Sequence, residues 1–129
     1  MFVIDNDLTI HITRGDTATF TVGATVGDDD NKVPYTFREG DIVRFSVCGK
    51  KDYSNVVLQK DFAATEGAEA VEIHLNSEDT KIGDAINKAT EYWYEVELNP
   101  ETKPQTIIGH TQDGAKVLML YPESVREVI

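Results

Sequence analysis

Hydrophobic residues in this chain recur at every second position, and this period constrains the fold more than any other feature. Successive side chains of a β-strand point to opposite faces of a sheet, so a period of two predicts strands with one buried and one solvated row. Residues 17–22 show it clearly: Ala18, Phe20 and Val22 alternate with threonines. Residues 91–98 show it again, with tyrosine, valine and leucine on one face and Trp93 with glutamates on the other.

Turn-forming residues separate these runs. Gln112-Asp113-Gly114 is a hairpin signal, and it predicts that residues 105–111 pair with residues 115–121. Four more apolar runs predict strands over 8–13, 42–47, 56–62 and 70–75. The total predicts an all-β fold: an immunoglobulin-like antiparallel β-sandwich of about seven or eight strands with one short helical turn.

Three local predictions follow from the same reading. Leu8 joins the buried row of the strand 8–13. Tyr35 and Phe37 form a short strand after a polar loop. Residues 76–82 begin with an N-cap asparagine and acidic residues, which favours the single helical turn.

Size and charge limit the classes of function. A chain of 129 residues is the size of one domain, so residues 1–129 are expected to form a single sandwich. The net charge of −11 repels phosphate backbones and anionic membranes, so we expect no nucleic-acid partner and no membrane partner. The N-terminal residues carry no secretory signal, and the single cysteine, Cys48, makes no internal disulfide, so we expect a reducing compartment at first.

Catalytic and metal-binding patterns find no match in the sequence. His11, His74 and His110 lie on separate predicted strands, which favours solvated histidines over a metal site. The acidic run 28–31 lacks the ligand spacing of a calcium loop, and residues 14–16, Arg-Gly-Asp, are typical of a turn. No nucleophile elbow or phosphate-binding loop is present, so we expect no enzyme, no metal and no cofactor.

Two apolar features are unusual for a monomer. Trp93 shares a predicted exposed face with Glu95 and Glu97, which suits either a protein contact or a residue covered by a loop or the chain terminus. Residues 117–121 are apolar on both faces, so at a sheet edge they would need a cover. That cover is either the C-terminal Val125, Val128 and Ile129 or another subunit paired along the edge. The candidate interface residues are Trp93, Leu118, Met119 and Leu120.

Four segments together resemble a known family: residues 12–22, 35–47, 78–82 and 91–98. They are similar to the immunoglobulin-like N-terminal modules of phage baseplate upper proteins and related tail proteins from phages of Gram-positive bacteria. The segments run in order through most of the chain.

The resemblance implies a non-catalytic structural or adaptor protein of a phage or prophage tail, baseplate or neck. Its expected partners are other phage structural proteins or copies of itself, so a homo-oligomer is anticipated. Its expected location is the virion, after assembly in the bacterial cytoplasm. The alternative is a carbohydrate-binding β-sandwich module that stacks Trp93 and nearby tyrosines on sugar rings, and a small hydrolase is a distant third.

Overall fold

The computed structural model describes residues 1–27, 30–84 and 87–123. The described chain is all-β, and no helix occurs in these three ranges; in particular none has the length and hydropathy needed to cross a membrane. Its strands are β1 (Phe2–Ile4), β2 (Ile10–Thr13), β3 (Ala18–Val22), β4 (Thr25–Val26), β5 (Val33–Pro34), β6 (Ile42–Gly49), β7 (Asp52–Ala63), β8 (Val71–Leu75), β9 (Thr90–Leu98), β10 (Gln105–Ile108) and β11 (Lys116–Tyr121).

Seven strands form the large sheet. Six follow the order β1-β2-β11-β9-β6-β7, and β10 pairs with β9 beside β11. The β2–β11 pair is parallel and the other pairs are antiparallel. The strands β9 and β11 therefore lie in the interior of the sheet, with neighbours on both sides.

A second layer covers one face of this sheet. It is the antiparallel pair β3–β8, and a separate two-stranded sheet, β4–β5, lies between β3 and β6 in the sequence. The Phe20 ring of β3 meets the Phe45 ring of β6 edge-on, with centroids 5.9 Å apart. Side chains from both layers form one hydrophobic core, so the architecture is sandwich-like.

The core confirms the two-residue period. The inward residues of β8, β6 and β9 are buried, and the intervening residues are more exposed. The fully enclosed apolar side chains, each at most 1 % exposed, are Ile10, Ile12, Phe37, Val43, Phe45, Val47, Ile73, Leu75, Val96 and Leu120.

Several local predictions were wrong. Leu8 lies before β2, is 36 % exposed and has a φ of 71°, because the chain turns between Asp5 and Thr9 before the strand begins. Tyr35 and Phe37 lie in no strand; instead the Phe37 N–H donates to the Ala68 carbonyl.

The helical turn is not confirmed. Residues 77–80 form turns, in which the Asp79 N–H donates to the Asn76 carbonyl and the Lys81 N–H to the Glu78 carbonyl. These bonds span three residues and do not continue into a helix.

The predicted hairpin between residues 105–111 and 115–121 was also wrong in its pairing. The turn exists, since Thr111 and Gly114 form a bridge, but both arms pair with β9 and not with each other. The strand β9 has nine residues, so β11 pairs along its first half and β10 along its second. The two arms therefore follow one another along the same neighbour.

Candidate interaction surface

The face of the large sheet that is turned away from β3–β8 is called the outer face here. The strand β9 crosses its middle and places Glu91, Trp93, Glu95 and Glu97 on it, because Tyr94, between them, points into the core. In the cross-strand row through Trp93, Val117 of β11 lies on one side and Cys48 of β6 on the other.

Three rings form an aromatic cluster on this face: Tyr53, Trp93 and His110. The Trp93 ring centroid is 5.4 Å from that of Tyr53 and 6.1 Å from that of His110. The Tyr53 hydroxyl and His110 Nδ1 are 2.9 Å apart and form a hydrogen bond, and the Trp93 indole N–H donates to Glu91 Oε2 at 3.1 Å. The cluster thus joins β7, β9 and the loop after β10.

Gly109 allows that loop to approach the sheet. A Cβ added to Gly109 would lie 2.6 Å from Thr106 Cγ2, which is closer than real side chains pack, and 3.8 Å from Glu95 Cγ. Only glycine fits in this space without moving a neighbour. The next residue, His110, places its ring edge-on to that of Trp93.

Trp93 is less exposed than its place in the alternating pattern predicts. Trp93 is half-buried, because Tyr53 and His110 cover part of its ring, as the alternative of a covering loop anticipated. Tyr53 itself stays 43 % exposed, and Val56 and Val57 beside it on β7 are 49 % and 37 % exposed. Aromatic and aliphatic surface therefore remains accessible around Trp93.

The other candidate interface residues are divided between the two faces. Leu118 and Leu120 are core residues, 2 % and 0 % exposed, whereas Met119 is half-buried on the outer face opposite Glu91. An edge position for residues 117–121 was wrong, since β11 pairs with both β2 and β9. A subunit cannot add along a strand whose two edges are already paired. The proposed cover by Val125, Val128 and Ile129 lies outside the described residues.

Carboxylates surround the aromatic cluster. Glu91 has Lys50 Nζ at 3.8 Å, but neither Glu95 nor Glu97 forms an ion pair with any residue in the described ranges. The nearby Arg44 is held by Asp61 and Glu101 instead. Partial burial and the charge of Glu97 raise the pKa of Glu95 above its usual value, although His110 opposes this. The outer face therefore carries uncompensated negative charge beside its aromatic rings.

Cys48 lies in the row beside Trp93 and is buried, 5 % exposed. Burial and the Glu95 carboxylate raise its pKa, so the thiol is kept protonated. A protonated, enclosed thiol is a poor nucleophile, so Cys48 serves as a packed residue of β6.

The remaining histidines have separate local partners. His11 Nε2 is 2.7 Å from Asp5 Oδ2 and its Nδ1 is 2.8 Å from the Tyr121 hydroxyl, a contact that ties β1, β2 and β11 together. His74 Nδ1 is 2.9 Å from Oγ1 of Thr19, its cross-strand neighbour on β3. No group of three or more His, Cys, Asp or Glu side chains in the described part of the chain is arranged to hold a metal ion. Asp28 and Asp29 of the acidic run are outside that part.

A cavity of about 630 Å³ lies at the opposite end of β9 from Trp93. Its wall includes Asp41, whose carboxylate accepts hydrogen bonds from the Tyr35 hydroxyl, the Arg38 N–H and the Asn99 amide. Every oxygen of Asp41 is thus already used inside the protein. We assign this network to the structure of the chain and not to a ligand.

Sequence reasoning identified Trp93 but missed Tyr53, Glu95 as an unpaired charge, and the position of His110. Tyr53 lies in the first half of β7, before the predicted strand 56–62, and the side chains there do not alternate between buried and exposed, so no local signal marked it. The one feature of the sequence that pointed to unpaired charge was the row of glutamates on the same face as Trp93. Comparison of this chain with protein-family models, curated protein sequences and solved structures finds no match.

Proposed function

We propose that this protein is a non-catalytic structural or adaptor component of a phage or prophage tail, baseplate or neck, and that it works by docking on protein surfaces. The observation that supports docking is the outer face of the large sheet. There, Trp93 on the interior strand β9 and Tyr53, Val56 and Val57 on the edge strand β7 offer accessible aromatic and aliphatic area. Such residues are enriched in the cores of protein interfaces.

The proposal includes an immunoglobulin-like topology. In that fold the strands named C, F and G lie together in one sheet, B and E lie in the other, and variable-type domains add C′ beside C. Assigning β6, β9 and β11 to C, F and G, β7 to C′, and β3 and β8 to B and E satisfies this arrangement. The phage context rests on the resemblance of the four sequence segments described above, and so do the virion location and the oligomeric state.

Mass spectrometry and electron cryo-microscopy of phage particles from cells that encode this chain would test the proposal. We expect the chain in purified particles, at a copy number comparable with other tail proteins, and density for the sandwich in the tail or neck. Absence of the chain from intact particles would refute the assignment.

The carbohydrate-binding alternative draws on the same residues. Tyr53 and Trp93 are close enough to share a sugar, but their ring planes are inclined by 50° and do not form one flat platform. A glycan panel separates the two functions. Binding that is lost in Trp93→Ala, in a variant whose far-UV spectrum and amide NMR dispersion show a native fold, would favour the sugar-binding function.

A further inference from the structure

The outer face combines aromatic rings with carboxylates that have no counter-ion. Glu95 and Glu97 follow Trp93 at intervals of two along β9, so their side chains extend from the same face as the indole. Tyr53 and His110 act on Glu95 electrostatically. Burial and then the Glu95 charge raise the pKa of Tyr53, and the charge of His110 opposes the rise in the pKa of Glu95. Aromatic faces and carboxylates both attract cations.

The charges of neighbouring strands do not neutralise this site. Arg44 is the cation nearest to Glu97 by strand register, and its guanidinium lies 2.7 Å from Asp61 and 2.8 Å from Glu101. The ammonium of Lys50 lies on the far side of Trp93, beside Glu91. Two partly buried negative charges are therefore left for a group outside the described chain.

We propose that the aromatic cluster together with Glu95 and Glu97 is a docking site for an arginine- or lysine-bearing segment of a partner protein. This inference rests on the proposed docking function and specifies the chemistry of its partner. The cationic group contacts the Trp93 and Tyr53 rings and pairs with Glu95 and Glu97, and the aliphatic part of its side chain packs on Val56. Charge complementarity selects a basic partner over a second copy of this chain, since two copies at −11 repel one another.

The test is an NMR titration of the full chain with the peptide acetyl-Gly-Arg-Gly-Arg-Gly-amide. We expect saturable shifts concentrated at the Trp93 indole N–H, the Gly109 amide and the His110 amide. The double variant Glu95→Gln/Glu97→Gln should weaken binding at least about fivefold, a change of about 1 kcal/mol. The matched control Glu69→Gln/Glu72→Gln removes the same charge from the side of the β3–β8 layer and should change the affinity less than about twofold.

Three outcomes would overturn the inference. The first is a set of shifts spread evenly over the acidic surface. The second is unchanged affinity in the Glu95→Gln/Glu97→Gln variant when its amide spectrum shows a native fold. The third is that the peptide leaves Trp93 unperturbed while cellohexaose perturbs it. These outcomes are independent of whether the chain is found in phage particles, so the docking chemistry and the proposed function fail separately.

Discussion

The Asn99 side-chain amide donates a hydrogen bond of 2.9 Å to the Asp41 carboxylate and so joins the end of β9 to the residue before β6. Asn99 also accepts a bond from the Ile42 N–H at 2.8 Å, and it adopts a φ of 49° to do so. Asp41 is 7 % exposed, and its other bonds come from Tyr35 and the Arg38 N–H. This junction fixes where β6 begins and where β9 ends.

The first prediction concerns this junction. Burial alone would raise the pKa of Asp41, but hydrogen bonds from the Arg38 N–H, Asn99 and Tyr35 together outweigh it and lower the pKa. Asp41→Asn places an amide among donors, so it should reduce the free energy of unfolding at pH 7 by about 1–3 kcal/mol. A group with a depressed folded-state pKa stabilises the fold above its unfolded-state pKa of about 3.9, and this contribution is lost as pH falls through the folded-state value.

The loss caused by Asp41→Asn should therefore shrink below pH 4, as urea unfolding at several pH values would reveal. Glu39→Gln, in the same exposed turn, removes the same charge and is the control. Equal stability of the two variants at pH 7 would contradict the account of the junction.

The second prediction concerns the contact between the layers. Phe45 is 0 % exposed and meets Phe20 at 5.9 Å and Tyr94 at 5.7 Å. Phe45→Ala leaves a cavity in the centre of the core and should cost about 3–5 kcal/mol. Thr21→Ala, on the exposed side of β3, should cost less than about 1 kcal/mol. Thermal unfolding followed by circular dichroism measures both, and a small loss for Phe45→Ala would argue against a two-layer core.

The third prediction uses the only tryptophan as a reporter. Tyr53 covers one side of Trp93, so Tyr53→Ala should shift the fluorescence emission to longer wavelength and make acrylamide quenching more efficient, at a stability cost of about 1 kcal/mol. Tyr35→Phe, at the cavity beside Asp41, should leave the emission unchanged. Identical emission from the Tyr53→Ala variant and the native chain would mean that the aromatic cluster does not form.

The fourth prediction concerns the cost of an unpaired charge. The pKa of Glu95 is raised in the folded state, chiefly by burial and then by Glu97, so its ionised form weakens the fold above its unfolded-state pKa of about 4.3. Glu95→Gln should stabilise the protein at pH 7, by less than about 1 kcal/mol because water screens a half-exposed charge.

That gain should disappear as pH falls below 4, where the unfolded carboxyl is protonated as well. Glu72→Gln, which is exposed on β8, should show no such gain. A destabilised Glu95→Gln variant at pH 7 would mean that Glu95 already has a stabilising partner within the chain.

The sequence predicted what local alternation can encode. Strands around Phe20, Phe45, Ile73 and Val96, and the faces they bury, follow from the two-residue period, because each strand carries its own pattern. Strand pairing was harder to predict. The Asp113-Gly114 turn predicted a hairpin, but β9 is long enough for β10 and β11 each to pair with it instead of with each other.

The candidate surface depends on non-local contacts to an even greater extent. Trp93 could be identified from its strand, whereas Tyr53 and His110 reach it from 40 residues before and 17 residues after along the chain. A loop held down by Gly109 and a strand that lies two positions away in the sheet leave no periodic signal. The sequence alone therefore could not decide whether Trp93 is free for a protein contact or covered by another part of the chain.

Hydroxyl-radical footprinting of the free chain and of the same chain in assembled particles tests the central claim, that the outer face docks a partner. We expect oxidation of Tyr53 and Trp93 to fall on assembly, because the partner covers both rings, while Tyr35, beside the cavity near Asp41, keeps its reactivity. Unchanged oxidation of Tyr53 and Trp93, with protection confined to other residues, would contradict the claim.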